Sequence, residues 1–279
     1  MFTSNPFAAA AQVLPAGFLQ GFVVLMIVLV FLGTVFDVLH KGSAKYFFEN
    51  MRRARGRAKR PVEGGEAVSI AIQTAVVDVL ASGEFCNPKR RLAHLLTMYG
   101  FILHMGATAI LVFGYPASAT PAPAILAQLW WLGGLMVCAG GYWFWFFIRV
   151  DVAAEGHSPF RVMRADLFIL SLLASVTLGL VWAWLQASGS PAAVAFLGLY
   201  LLATFVLFGS VPWSKFAHMF FKPAAAFEKR MSRADGTAEN LPTQTRDDPA
   251  QQQRHSMELL RDAPMDMGLG IKREAPRHY

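Results

Sequence analysis

Histidines are the residues of this chain best suited to do chemistry. Five of the seven, His40, His94, His104, His157 and His218, lie within or beside long apolar stretches. His255 and His278 fall in a polar C-terminal segment and read as solvated side chains. An imidazole inside an apolar helix is expensive to bury, so it either serves a function or hydrogen-bonds a neighbouring helix. His94 and His104 are ten residues apart; on one helix that sets His104 about 15 Å deeper and within roughly 80° of the same face. His218 follows the last apolar stretch and returns to the depth of His94. Two imidazoles from antiparallel helices at one depth suit a six-coordinate b-type heme, one nitrogen on each face of the iron. Zinc asks for four ligands, usually including thiolate or carboxylate, and no such set occurs at one depth. On the residues alone, heme ligation by His94 and His218 and a purely structural role stand side by side. Thiol chemistry has little to work with: Cys86 and Cys138 are too few for an iron–sulfur cluster, a four-cysteine zinc site or a disulfide framework.

The elements that must position these side chains are written in the charge distribution. Residues 1–36, 92–148 and 167–214 contain no Asp, Glu, Lys or Arg, although the chain carries 25 basic and 18 acidic residues. The uncharged stretches hold five apolar runs, near Gly17–Leu39, Leu92–Gly114, Ile125–Ile148, Ala165–Gln186 and Ala192–Val211. Each is read as long enough to cross a hydrocarbon core of about 30 Å. The expected architecture is therefore all-α, an integral membrane bundle of five transmembrane helices spanning residues 1–230. All basic residues fall in 41–91, 149–164 and after Trp213. With five crossings these segments share one face, which the positive-inside rule makes cytoplasmic. The expected location is the cell inner membrane, multi-pass, with the N-terminus outside and the C-terminus in the cytoplasm. A soluble all-α protein would have to hide nearly continuous apolar segments on every side. The formal net charge of +7 is accounted for by topology and anionic headgroups, and no nucleic-acid recognition motif accompanies it.

Between the runs, the connections divide by composition. The run Arg52–Arg60 is a basic patch. Residues 64–80 place Val68, Ile72, Ala75, Val76 and Val79 at roughly helical spacing among polar residues, predicting an amphipathic interfacial helix. Residues 115–123 and Gly189–Pro191 make uncharged outer turns. Trp130 and Trp131 read as interfacial anchors. Residues 231–279 read as a flexible cytoplasmic tail. Met1–Gln20 lacks a positive n-region, so it does not read as a cleaved signal peptide.

Three pieces carry a resemblance. They are Asp78–Leu80 leading to Phe85-Cys86-Asn87, then Lys89–Phe101 with His94, and Val211–Phe220 with His218. Together they resemble the membrane cytochrome b family of the nitrate reductase gamma subunit. Within that family they look most like the membrane subunit of the quinone-interacting oxidoreductase of sulfate reducers and the adenylylsulfate reductase membrane anchor. The resemblance covers residues 17–230 and implies five crossings and two stacked b hemes, held by paired histidines on the second and fifth helices. His94, His104 and His218 match that pattern, while Tyr200 stands where the fourth histidine is expected. One heme b through His94 and His218 is thus expected, and a second, involving His104, is left open.

That resemblance implies a membrane subunit passing electrons between quinone and a cytoplasmic flavin and iron–sulfur oxidoreductase such as adenylylsulfate reductase. The chain has no flavin or cluster motif of its own and would not perform the sulfur chemistry. Asp37 and Asp166 are then candidates for handling quinone protons, and Arg91 and Arg164 for pairing with heme propionates. Charged residues marking the membrane interface would look the same. Two alternatives remain: a heme-free membrane anchor for that enzyme, and a transporter-like membrane protein, which would show internal repeats or charge within its spans, neither of which the sequence displays.

Overall fold

The computed structural model describes residues 2–11, 13–41, 43–83, 85, 87–116, 121–149 and 160–237. Cys86, His157, His255, His278, the tip of the 115–123 turn and the tail beyond residue 237 lie outside the described residues. The helices are α1 (Pro6–Ala10), α2 (Ala16–Lys41), α3 (Ser43–Arg55), α4 (Gly64–Gln73), α5 (Pro88–Gly114), α6 (Ala124–Trp143), α7 (Leu167–Ala187), α8 (Ala193–Gly209) and α9 (His218–Ala234). No strand occurs among the described residues. The chain divides into two units, Met1–Glu49 with Leu92–Trp145 and Val162–Lys222, and Asn50–Arg91 with Phe146–Arg161 and Pro223–Tyr279.

The first unit holds the apolar helices. Four are long and apolar enough to cross a membrane: Gly17–His40, Pro88–Gly114, Ala124–Ile148 and Arg164–Ala187. They are apolar around their whole circumference, as a helix surrounded by lipid and other helices must be. On α2, Ile27 is 61% and Phe31 66% exposed, a composition that only an apolar solvent tolerates.

The expected fifth crossing is not of that class. Helix α8 has 17 residues, about 25 Å at the usual rise. Its limits have local causes. Gly189, at φ +69°, turns the chain between α7 and α8, a conformation glycine adopts without penalty. At the other end Pro212 cannot donate a backbone N–H, and the chain leaves the helix through a 3-10 turn over Val211–Trp213.

Glycines let α5 and α6 approach closely. A Cβ built on Gly133 would sit 2.5 Å from the His104 backbone nitrogen, and one on Gly100 2.7 Å from the Gly133 carbonyl oxygen. Small residues at such a crossing replace the hydrophobic drive that helices lack inside lipid with close van der Waals packing. Helix α1 caps one end. Asn5 donates to the Tyr115 carbonyl at 2.9 Å, Gln186 donates to the Pro6 carbonyl at 2.7 Å, and Phe7 packs edge-on against Trp130.

In the second unit the predicted helix over 64–80 is present as α4 followed by a π-helical continuation, Thr74–Leu80. Two further helices were not legible. The basic patch begins inside α3, and α9 runs to Ala234, so the first residues of the predicted tail are helical. Both are amphipathic, with charges interleaved so densely that composition alone reads as polar connection. The Arg230 guanidinium donates twice to the Asp78 carboxylate, joining α9 to the π-helical turn. Arg60 makes a two-pronged pair with Glu66, which holds the Glu66 carboxyl below its usual range. The backbone N–H of Lys59 donates to the Asp235 carbonyl at 2.9 Å.

Candidate functional site

Among the polar groups inside the first unit, two buried clusters each tie one helix pair. In the first, His104 of α5 is fully buried. Its Nδ1 lies 2.8 Å from the backbone carbonyl oxygen of Trp130 on α6. A carbonyl can only accept, so Nδ1 carries the proton and Nε2 presents its lone pair. That Nε2 is buried and has no hydrogen-bond partner. The Trp130 indole N–H donates to the Thr108 hydroxyl at 3.0 Å, and the Thr108 hydroxyl donates to the His104 carbonyl at 2.7 Å. The imidazole also lies against the indole ring, with centroids 4.6 Å apart. Gly134 makes room for it, since a Cβ there would stand 3.2 Å from Nδ1.

The second cluster joins α7 to α8. Tyr200 is 5% exposed and stacks on Trp182, with centroids 5.6 Å apart and rings 9° from parallel. Its ring covers Gly179, where a Cβ would come within 3.0 Å. One turn further along α8, the Thr204 hydroxyl meets that of Ser175 at 2.7 Å and donates to the Tyr200 carbonyl at 2.7 Å. Both clusters satisfy side-chain hydroxyls by bonding within the bundle, which hydrocarbon requires.

The sequence-predicted site residues are placed as follows by the described part of the structure. His94 is half-buried on the same helix as His104, ten residues away. His218 opens α9, and its side chain lies outside the described residues. Asp166 turns out to be local: its carboxylate accepts from the Met163 backbone N–H at 2.8 Å, capping the turn that starts the fourth span. Asp37 is buried near the end of α2, and Arg164 is exposed. Arg91 donates through Nε to the Ala81 carbonyl at 2.8 Å, holding the chain that follows the π-helical turn. Among the described residues no group of three or more His, Cys, Asp or Glu side chains could hold a metal ion.

Sequence reasoning missed the partners of His104. Thr108 stands four residues after it, on the same helix face. Trp130 and Trp131, read as interfacial anchors, are instead buried, Trp130 completely. A doubled tryptophan next to Gly133-Gly134 was the available signal, because glycines beside a large ring mark close helix packing rather than exposure to headgroups.

Comparison with known proteins gives the chain a family. The family model for citrate utilization protein B matches residues 12–239, a range that contains every helix from α2 to α9. Citrate utilization protein B of Escherichia coli is 28% identical over 195 residues, covering 64% of this chain and 50% of that protein. The chain thus spans about half the length of that curated relative. No solved structure matches.

These matches overturn the resemblance to the nitrate reductase gamma-subunit cytochromes and to the membrane subunits of sulfur metabolism. With it falls the reading of an electron conduit between quinone and adenylylsulfate reductase through heme b. The misleading signal was generic: apolar helices flanked by basic residues, with a histidine near a helix start, recur wherever membrane helices meet the cytoplasmic face. By a family match that covers most of its length, the chain belongs to the citrate utilization protein B family.

Proposed function

We propose that this chain is an integral, transporter-like membrane component of a citrate-utilisation system. The observation that carries the reading is the family match over residues 12–239, which takes in all four helices of spanning length. The name of the Escherichia coli relative supplies the substrate class, a tricarboxylate.

The chemistry of the chain constrains how such a component works. A citrate trianion cannot be left unpaired among hydrocarbon side chains. The described apolar helices carry no Lys or Arg between residues 92 and 148 or between 167 and 209. Recognition of the anion is therefore assigned to the basic segments at 41–91 and 149–164. These two segments connect the first span to the second and the third to the fourth, so they share a side however α8 is disposed. The positive-inside rule makes that side cytoplasmic in an inner membrane, with the N-terminus opposite. Inside the bundle, His104 with Thr108 and the Ser175–Thr204 pair are among the polar groups on offer, and His104 Nε2 is one with bonding capacity to spare.

The test is growth. A strain of the source organism lacking this gene should fail to grow on citrate as sole carbon source, grow normally on succinate, and recover when the full chain is restored. Unimpaired growth on citrate would refute the reading.

A further inference from the structure

A second feature of the first unit borders both polar clusters, through Thr108, Tyr200 and Thr204. Helices α2, α5 and α8 enclose a cavity of about 790 Å³, large enough for a sizeable ligand. Its wall is overwhelmingly apolar, so a tricarboxylate has no place in it. It is partly open, and its lining includes Ile27 and Phe31, which also belong to the exposed face of α2. The cavity is therefore continuous with the surface that faces acyl chains when the helices span a bilayer.

One polar atom in the lining lacks a partner. The Thr34 hydroxyl oxygen is buried and makes no hydrogen bond, though a helical threonine usually bonds back to its own turn. The span Gly17–His40 has 24 residues, about 36 Å, some 6 Å longer than a hydrocarbon core. The charge-free run of α2 ends at Asp37, three residues or about 4.5 Å beyond Thr34, so Thr34 stands near the boundary where ester groups begin. At the same end the lining includes Phe216 and Met219, which lie between Lys215 and Lys222 in the sequence.

From this we infer that the cavity is a phospholipid site. One acyl chain fills the slot between α2 and α5, the glycerol ester carbonyl accepts the Thr34 hydroxyl proton, and the phosphate lies toward Lys215 and Lys222. The bound lipid completes the packing of α2, so it is a structural part of the bundle rather than cargo. The inference is independent of the citrate reading, because its experiment measures bound lipid and not growth.

Gly106 provides the decisive variant. It lines the slot, and a Cβ built on it meets nothing within 4 Å. Gly106→Leu fills the slot without striking protein, and Thr34→Val deletes the hydroxyl while keeping the shape. The full chain is extracted from native membranes in a mild detergent and weighed intact by native mass spectrometry. One phospholipid-mass adduct is expected on the wild type, lost from Gly106→Leu, and retained about fivefold less well by Thr34→Val, the value of one hydrogen bond. Circular dichroism and gel filtration confirm that the variants are folded; if Gly106→Leu is not, Thr34→Val alone decides. No adduct on the wild type, an adduct with the mass of a prenyl lipid or detergent, or equal phospholipid on the wild type and the folded variants would each overturn the inference.

Discussion

His104 and Trp130 hold each other from opposite directions. The imidazole Nδ1–H reaches the tryptophan carbonyl at 2.8 Å, and the indole N–H returns through Thr108 to the histidine carbonyl in steps of 3.0 and 2.7 Å. Thr108 is the link that both donates and accepts. Thr108→Val keeps the shape but strands a buried indole N–H, so it should lower stability by about 2 kcal/mol. In the double variant Thr108→Val/Trp130→Phe that stranded donor is gone, and the loss should be smaller than the sum of the two single losses. Thermal unfolding of the four proteins in one detergent measures this; strict additivity would show that the cycle is not energetically coupled.

His104→Leu separates fold from function. The change deletes one hydrogen bond, worth about 1 kcal/mol, and also removes a buried unpartnered nitrogen that costs a similar amount. The two effects oppose each other, and the melting temperature should change by only a few degrees. Growth on citrate should nevertheless fall, because His104 Nε2 is free polar capacity inside the bundle. Normal growth on citrate would reduce His104 to a packing residue.

The α5–α6 crossing predicts opposite outcomes for two glycines on one helix. Gly100→Leu drives a side chain into the Gly133 carbonyl oxygen, 2.7 Å from its Cβ, and should cost about 3 kcal/mol or prevent assembly. Gly106→Leu points into open space and should leave the unfolding temperature within a few degrees of wild type. Similar losses in both variants would contradict the assigned crossing.

The second unit offers a pH test. Burial raises the Glu228 carboxyl above its ordinary value, against an opposing pull from Arg55, with Asp235 adding to the rise. A raised folded-state pKa means that the unfolded chain releases this proton first. The contribution of Glu228 is therefore favourable below the ordinary carboxyl range and is lost as pH rises through the folded-state value. Glu228→Gln should remove that dependence and stabilise the protein at neutral pH. Unfolding curves at pH 4 to 7 check it, and a variant less stable than wild type at pH 7 would contradict the assignment.

Much of this architecture was legible in the sequence. The charge-free stretches marked the apolar helices because no Lys or Arg survives inside hydrocarbon without a partner. The helix over 64–80 was legible because its apolar residues recur at helical spacing. What periodicity could not show was length in context: the fifth run looks long enough, but its helix covers only Ala193–Gly209 before the chain passes into the turn at Val211–Trp213. Helices α3 and α9 were hidden because dense charge on an amphipathic helix resembles a loop. At the site, His104 was found by its cost of burial. Its partners were not, since Trp130 is 26 residues away and nothing local announces which carbonyl an imidazole will meet. The family reading failed for a related reason: the matched pieces were helix ends, where composition is dictated by the membrane rather than by chemistry.

Topology yields a prediction that does not depend on the fifth run. A reporter inserted at residues 115–123 should be outside, and one at residues 56–62 inside, because the 41–91 and 149–164 connections carry basic residues and residues 115–123 carry no charge. The reverse pattern would place the basic segments away from the cytoplasm and undo their assignment as the face that meets the cytoplasmic tricarboxylate.

Uptake of labelled citrate tests the central claim most directly. Cells lacking the chromosomal gene and carrying either the full chain or an empty vector are given radiolabelled citrate, with labelled succinate as the control. The account predicts citrate accumulation that depends on the chain and falls with His104→Leu, while succinate uptake is unchanged in every strain. Equal citrate accumulation with and without the chain would contradict a transporter-like role in citrate utilisation.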